Sequence, residues 1–172
     1  MILIDHIINP VIVPETSDLH IAQPVVFESM RRAKSYALVQ GIEVQQYAVT
    51  YPEDVGFVPL FLTKLPFLTR SVLDVGMFGI PRKLPLLHDV LVSAIKHGKG
   101  KFVLFTNSDI ILMPHFYELV AYHLKKGLDS LCFFKIIIDK KYTAEDMPAI
   151  YSDLLKTHDG YDSVVFKREL FN

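Results

Sequence analysis

The residues best placed to do chemistry are Asn107-Ser108-Asp109, three short polar side chains directly after the apolar run Phe102 to Phe105 and five residues ahead of Pro114. Magnesium and manganese take one or two protein carboxylates and complete their shells with water and substrate phosphates. Asp109 can therefore hold a metal that bridges a diphosphate, and Asn107 can bond a sugar hydroxyl, with Ser108 between them in the same binding set. The same residue types also fill strand-to-helix turns because their side chains bond backbone N–H groups, and that reading stays open. Arg82 and Lys83, ahead of an apolar-periodic stretch, can bring fixed positive charge to a diphosphate, as can Arg70; a solvated Pro-Arg-Lys turn is the plainer account. Near the end, His158-Asp-Gly-Tyr-Asp162 holds two carboxylates, and its Gly160 equally describes an ordinary turn.

Other chemistries lack their residues. There is no His-Glu-x-x-His and no cysteine pair for zinc, and no Gly-x-Ser-x-Gly elbow for a serine hydrolase. Gly98-Lys-Gly-Lys101 precedes a strand instead of following one and reads as a helix stop and turn, not a phosphate loop. His88 and Asp89 are adjacent on a helix, where neighbouring side chains diverge. His123 reads as a helix-face residue with a satisfied ring nitrogen, and Cys132, within an apolar strand, as inert packing.

The elements that must position these residues alternate in period. Ile2 to Ile8 is a β-branched strand stopped at Asn9-Pro10. Val26, Met30, Ala33 and Ala37 recur at helical offsets, with Pro24 in the first turn and Gly41 as the stop. Ile42 to Tyr51 reads as a second strand and 52–81, with its four prolines, as mostly loop. Leu87, Val90, Leu91, Ala94 and Ile95 form a second helix face that closes at His97-Gly98, and Phe102 to Phe105 is a strand covered on both faces. A third helix opens at Pro114 and ends at Lys125, Lys126 and Gly127. Leu131 to Ile138 is another strand, Ala144 to Leu155 a helix, and Ser163 to Phe166 a final short strand. This order predicts one α/β domain over 1–172, an open, mostly parallel Rossmann-like sheet with helices on both faces. Ligands of such sheets bind at the carboxyl ends of strands. That places Asn9, Tyr51 to Asp54, Asn107 to Asp109 and the residues after Ile138 at the expected crevice.

The 172 residues carry 18 basic and 19 acidic side chains, a net charge of −1, with no cationic surplus to neutralise nucleic-acid phosphates. With 51% hydrophobic residues the chain is not disordered. No run reaches the 18 or so apolar residues of a membrane span. One cysteine and no basic, apolar leader point to the cytoplasm. The stretch from Phe57 to Leu68 carries too much apolar surface for a free loop, and covers the core edge or serves as a membrane-surface patch or a partner surface, as in a homo-oligomer.

The stretch from Lys101 to Tyr117, KFVLFTNSDIILMPHFY, resembles the central segment of GT-A type nucleotide-sugar glycosyltransferases, in which an apolar strand ends in Asp-x-Asp and a proline and helix follow. Arg82 to Ile95 is more loosely similar to the helix before that motif, and the opening strand and helix to the first βα unit. The resemblance covers about residues 1 to 140. It implies a nucleotide-sugar donor, a Mg²⁺ or Mn²⁺ ion on Asp109, a ribose contact at Asn107, and acceptor-side or catalytic groups in late loops, where Asp162 lies. The acceptor is unspecified. Asn107 stands where the family has its first aspartate, and the family generally uses a further C-terminal portion for the acceptor. The alternative is a non-catalytic nucleotide-sugar-binding or assembly module on the same fold.

Overall fold

The computed structural model describes residues 2–138, 142–153 and 156–171, with backbone only at 156–159 and 161. The apolar segments form strands β1 (Leu3–Ile8), β2 (Glu43–Ala48), β3 (Thr63–Lys64), β4 (Phe102–Thr106), β5 (Ser130–Ile137) and β6 (Lys156–Lys167), with helices α1 (Asp18–Val39), α2 (Leu87–His97), α3 (Phe116–Lys125) and α4 (Met147–Ser152) between them. The six strands make one sheet in the order β3-β2-β1-β4-β6-β5. β1 pairs in parallel with β2 and β4, and β2 with β3, while β6 runs antiparallel to both β4 and β5. Only β6 is reversed, so the sheet is mostly parallel, as the segment order predicts.

α1 and α3 cover one face, where Val26, Met30, Ala33 and Ala37 meet Ile4, Ile8 and Leu104 together with Val120 and Leu124. α2 covers the other, setting Val90 and Ala94 on Ile7 and Val103. Within the first layer lies a buried polar chain. The His6 ring nitrogens bond the Tyr117 hydroxyl at 2.6 Å and the Thr106 hydroxyl at 2.9 Å, and Gln46 donates to Tyr117 at 3.0 Å and to the Met30 carbonyl at 2.9 Å. Burial without a charged partner holds His6 neutral, its pKa lowered to about 3.

Several sequence expectations need correction. Pro24 is not in the first turn, because α1 begins six residues earlier at Asp18 and Pro24 lies in its interior. Beside it the buried Gln23 side chain donates to Val11 O at 2.8 Å and to Leu19 O at 3.3 Å and accepts from Val11 N at 2.9 Å, fastening the β1–α1 loop where proline removes a helical donor. The final strand is 12 residues long, not four, so His158 to Asp162 belong to β6 and form no turn. The expected helix over Ala144 to Leu155 is a 3₁₀ turn, Ala144–Asp146, followed by α4. Cys132 is exposed, since β5 is an edge strand and α2 packs on β1 and β4. In the stretch 57–68, Val58, Leu62, Leu65 and Leu68 are buried against the core edge, while Leu60 and Phe67 face outward. Gly41 and Gly127 end α1 and α3 in the left-handed region, at φ 70° and 92°, which glycine adopts without strain. Among the described residues no helix is long and apolar enough to cross a membrane.

Candidate functional site

β4 delivers Asn107, Ser108 and Asp109 to its carboxyl end. Thr106 is tied to His6 below, and the Ile110 amide donates to the Asn107 carbonyl at 3.2 Å, closing the turn. Ser108 is buried in that turn, whereas Asn107 and Asp109 are exposed. Asp109 lines a cavity of about 450 Å³ that runs between the start of α1, the segment 109–113, the start of α3, and β5.

The second acid arrives from β6. Pairing steps from Phe133↔Ser163 to Phe134↔Tyr161, so Asp162 is the extra residue of a bulge. Bulges re-aim side chains and cluster beside active sites. Here the Asn107 amide donates to Asp162 Oδ1 at 3.1 Å, the Asn107 backbone N–H donates to the Asp162 carbonyl at 3.2 Å, and the Lys135 ammonium forms an ion pair with Asp162 Oδ2. Asp162 and Ser163 line both the 450 Å³ cavity and a smaller one of about 240 Å³, which Asn107, Leu87 and Cys132 share. The fold thus brings Asn107, Asp109 and Asp162 together around one strand tip.

The other expected residues are engaged elsewhere. Asn9 donates to the Val49 carbonyl at 2.7 Å, stitching the ends of β1 and β2. Asp54 is buried and accepts from the Ile12 amide at 2.8 Å; burial raises its pKa above the usual carboxylate value. Tyr51 is buried and donates to the Arg70 carbonyl at 2.9 Å. Lys83 pairs with Glu53 at 2.5 Å and sits 4.0 Å from the Tyr51 ring centroid; Arg82 is exposed, and neither lines either cavity. Arg70 clamps Asp89 with two bonds at 3.0 and 2.5 Å, which holds the Asp89 carboxyl below its ordinary value. His88 Nδ1 also reaches Asp89 at 3.2 Å, so these neighbours converge where divergence was expected, the acid being held toward both by Arg70. The residues directly after Ile138 lie outside the described set.

Sequence reasoning missed Lys135. Its signal was a lone cation within the apolar run Leu131 to Ile138, and Gly160, shortly before Val164 and Val165, signals a bulge as readily as a turn. Among the described residues no group of three or more acidic, histidine or cysteine side chains could cage a metal. A divalent ion that brings substrate phosphates and water needs only one open carboxylate, and Asp109 fits that need; Asp162 is already paired with Lys135.

No protein-family profile and no curated relative matches the chain. Among solved structures it is similar to a CMP:2-keto-3-deoxy-manno-octonic acid synthetase complexed with CTP, at 13% identity and TM-score 0.52, over 99% of this chain and 76% of that one. The likeness is one of fold. A 4-diphosphocytidyl-2C-methyl-D-erythritol synthase from Anaerococcus prevotii aligns at 10% identity and TM-score 0.49, over 98% of this chain and 73% of that one. The bifunctional IspDF from Campylobacter jejuni aligns at 9% and 0.49, over 97% of this chain and 41% of that one. The open Rossmann-like sheet expected from the sequence is therefore present. The resemblance to glycosyltransferases narrows to this shared architecture, since the protein aligned at TM-score 0.52 is named a synthetase.

Proposed function

We propose that the protein is a cytoplasmic, nucleotide-dependent transferase that holds a nucleoside diphosphate sugar at the tip of β4 and passes the sugar to an acceptor. The observation that carries this reading is Asp109, exposed at the mouth of a 450 Å³ cavity that also contains Asp162. Asp109 would hold a Mg²⁺ or Mn²⁺ ion, which when bound would supply positive charge to offset that of the leaving diphosphate. Asn107, fixed by Asp162, meets the ribose. The acceptor oxygen forms its bond to the sugar carbon as the bond to the nucleoside diphosphate breaks, and the acceptor proton passes to Asp162. Lys135, paired with Asp162, positions that carboxylate.

A second reading, nucleotidyl transfer from a nucleoside triphosphate with release of diphosphate, is favoured by the CTP bound to the synthetase that shares the fold. Calorimetry with CTP, UDP, GDP and their sugar conjugates, with and without Mn²⁺, tests the common core of both. Binding of at least one nucleotide should require the ion and weaken at least tenfold in Asp109→Ala. Metal-dependent binding that survives Asp109→Ala refutes the assignment. Release of free nucleoside diphosphate from a sugar nucleotide, against release of diphosphate from CTP, separates the two readings.

A further inference from the structure

The larger cavity is built unlike a pocket for a sugar or a phosphate. Ile21 and Val25 of α1, Ile110 and Met113 after β4, Phe116 of α3 and Phe133 of β5 give it an apolar wall. At 450 Å³ it has the size of an ordinary small-molecule site, in which apolar walls surround a few converging polar groups. At its β4 end Asp109 is exposed, and the Lys135 ammonium is paired with Asp162. Asp109, Asp162 and Lys135 gather at the tip of β4, where transfer would take place. A polyhydroxylated molecule would set hydroxyls without partners against the wall. An anionic one would meet the exposed Asp109 carboxylate, with the Lys135 ammonium already engaged by Asp162.

We infer that this cavity is the acceptor site and that the acceptor is an uncharged alcohol with an apolar body. Its hydroxyl lies at the Asp109 and Asp162 end and its body along the isoleucine and phenylalanine wall. This deepens the transferase reading and rests on it for the acceptor's role. In the transfer, the alcohol oxygen gains the sugar carbon, loses its proton to Asp162, and the nucleoside diphosphate leaves.

Calorimetric titration of the full chain with n-hexanol, n-octanol and n-decanol tests the cavity without a nucleotide. Saturable binding should strengthen about fourfold per added methylene until the wall is filled. Octyl phosphate and glucose should bind at least tenfold more weakly than octanol. Ala22→Trp, at a half-buried position on the same wall, should fill the space and weaken octanol at least tenfold, and Ile21→Asp, at a position 44% exposed, should do the same by placing charge there. Leu38→Trp, on the far, exposed part of α1, should leave octanol affinity unchanged. Absence of saturable alcohol binding overturns the inference, as does octyl phosphate binding equal to octanol, or undiminished binding in both wall variants with folding verified by circular dichroism. A titration of nucleotide with Mn²⁺ on the same preparation separates the two claims. Nucleotide binding without alcohol binding removes the acceptor class and leaves the transferase; alcohol binding without any nucleotide keeps an alcohol site and removes the transferase.

Discussion

The two ends of the sheet use aspartate in opposite ways. At the amino end of β1, Asp5 is fully buried; it accepts from the Gly100 amide at 2.6 Å and forms an ion pair with Arg168. Arg168 in turn donates to the carbonyls of Gly100 at 2.7 Å, Ala94 at 3.0 Å and Ile95 at 2.5 Å, placing its charge at the negative end of α2. Burial raises the Asp5 pKa, and the Gly100 amide and Arg168 oppose that rise. Even the glycines are part of the clamp, for a Cβ at Gly100 would lie 2.9 Å from the Asp5 amide nitrogen. At the carboxyl end of β4, Asp109 faces open space, and Asp162 is bonded to the Asn107 amide and the Lys135 ammonium. One end consumes its charges in fixing the fold, and the other keeps them accessible.

Breaking the buried end should have the largest effect. Arg168→Ala leaves Asp5 buried without its cation and should cost about 3 to 5 kcal/mol in urea denaturation. A loss below about 1 kcal/mol would show that the clamp is incidental.

His6, between the two ends, should set a pH dependence. Its folded pKa of about 3 lies below the unfolded value of 6.5, so the folded state disfavours the proton that the unfolded chain takes up. Stability is full above about pH 6.5 and falls as pH drops toward 3. Between pH 7 and 5 the loss from this residue should be about 2 kcal/mol, and His6→Gln should remove that part of the slope. An unchanged slope in the variant would assign the dependence to other groups.

The open end should behave in the reverse sense to the clamp. Asp109→Ala should leave denaturation within about 0.5 kcal/mol of the parent, while metal-dependent nucleotide binding drops at least tenfold. A destabilisation comparable to that of Arg168→Ala would erase the contrast between the ends. Smallest of all, Arg70→Ala removes a pair whose arginine is 54% exposed and should cost less than about 1 kcal/mol, becoming undetectable at high salt.

The sequence made the open end more legible than the buried one. Asn107 to Asp109 stood out because short polar residues after an apolar strand break the pattern, and the strand rule placed them at the right edge. Asp5 and Arg168 gave no such signal, since their pairing spans 163 residues and each alone looks like any charged residue beside a strand. Asp162 stood both as a late-loop acid that the resemblance makes catalytic and as part of a turn around Gly160; neither reading saw the strand on either side of that glycine. Arg82 and Lys83 were attractive by charge alone, yet the fold turns Lys83 toward Glu53 and Tyr51. Local pattern carries helix and strand; long-range pairing of charges does not appear in it.

The reversed strand has a consequence for how the chain assembles. β6 follows the other five described strands in sequence, yet it occupies an interior position, hydrogen-bonded on one side to β4 and on the other to β5. Until it arrives, β4 and β5 have no neighbour to bridge them and the clamp at Asp5 lacks its arginine. Between the emergence of β5 and that of β6 the growing polypeptide therefore presents unsatisfied edges on β4 and β5, and cooperative closure, together with the pairing that positions Asp162, waits for Lys156–Lys167.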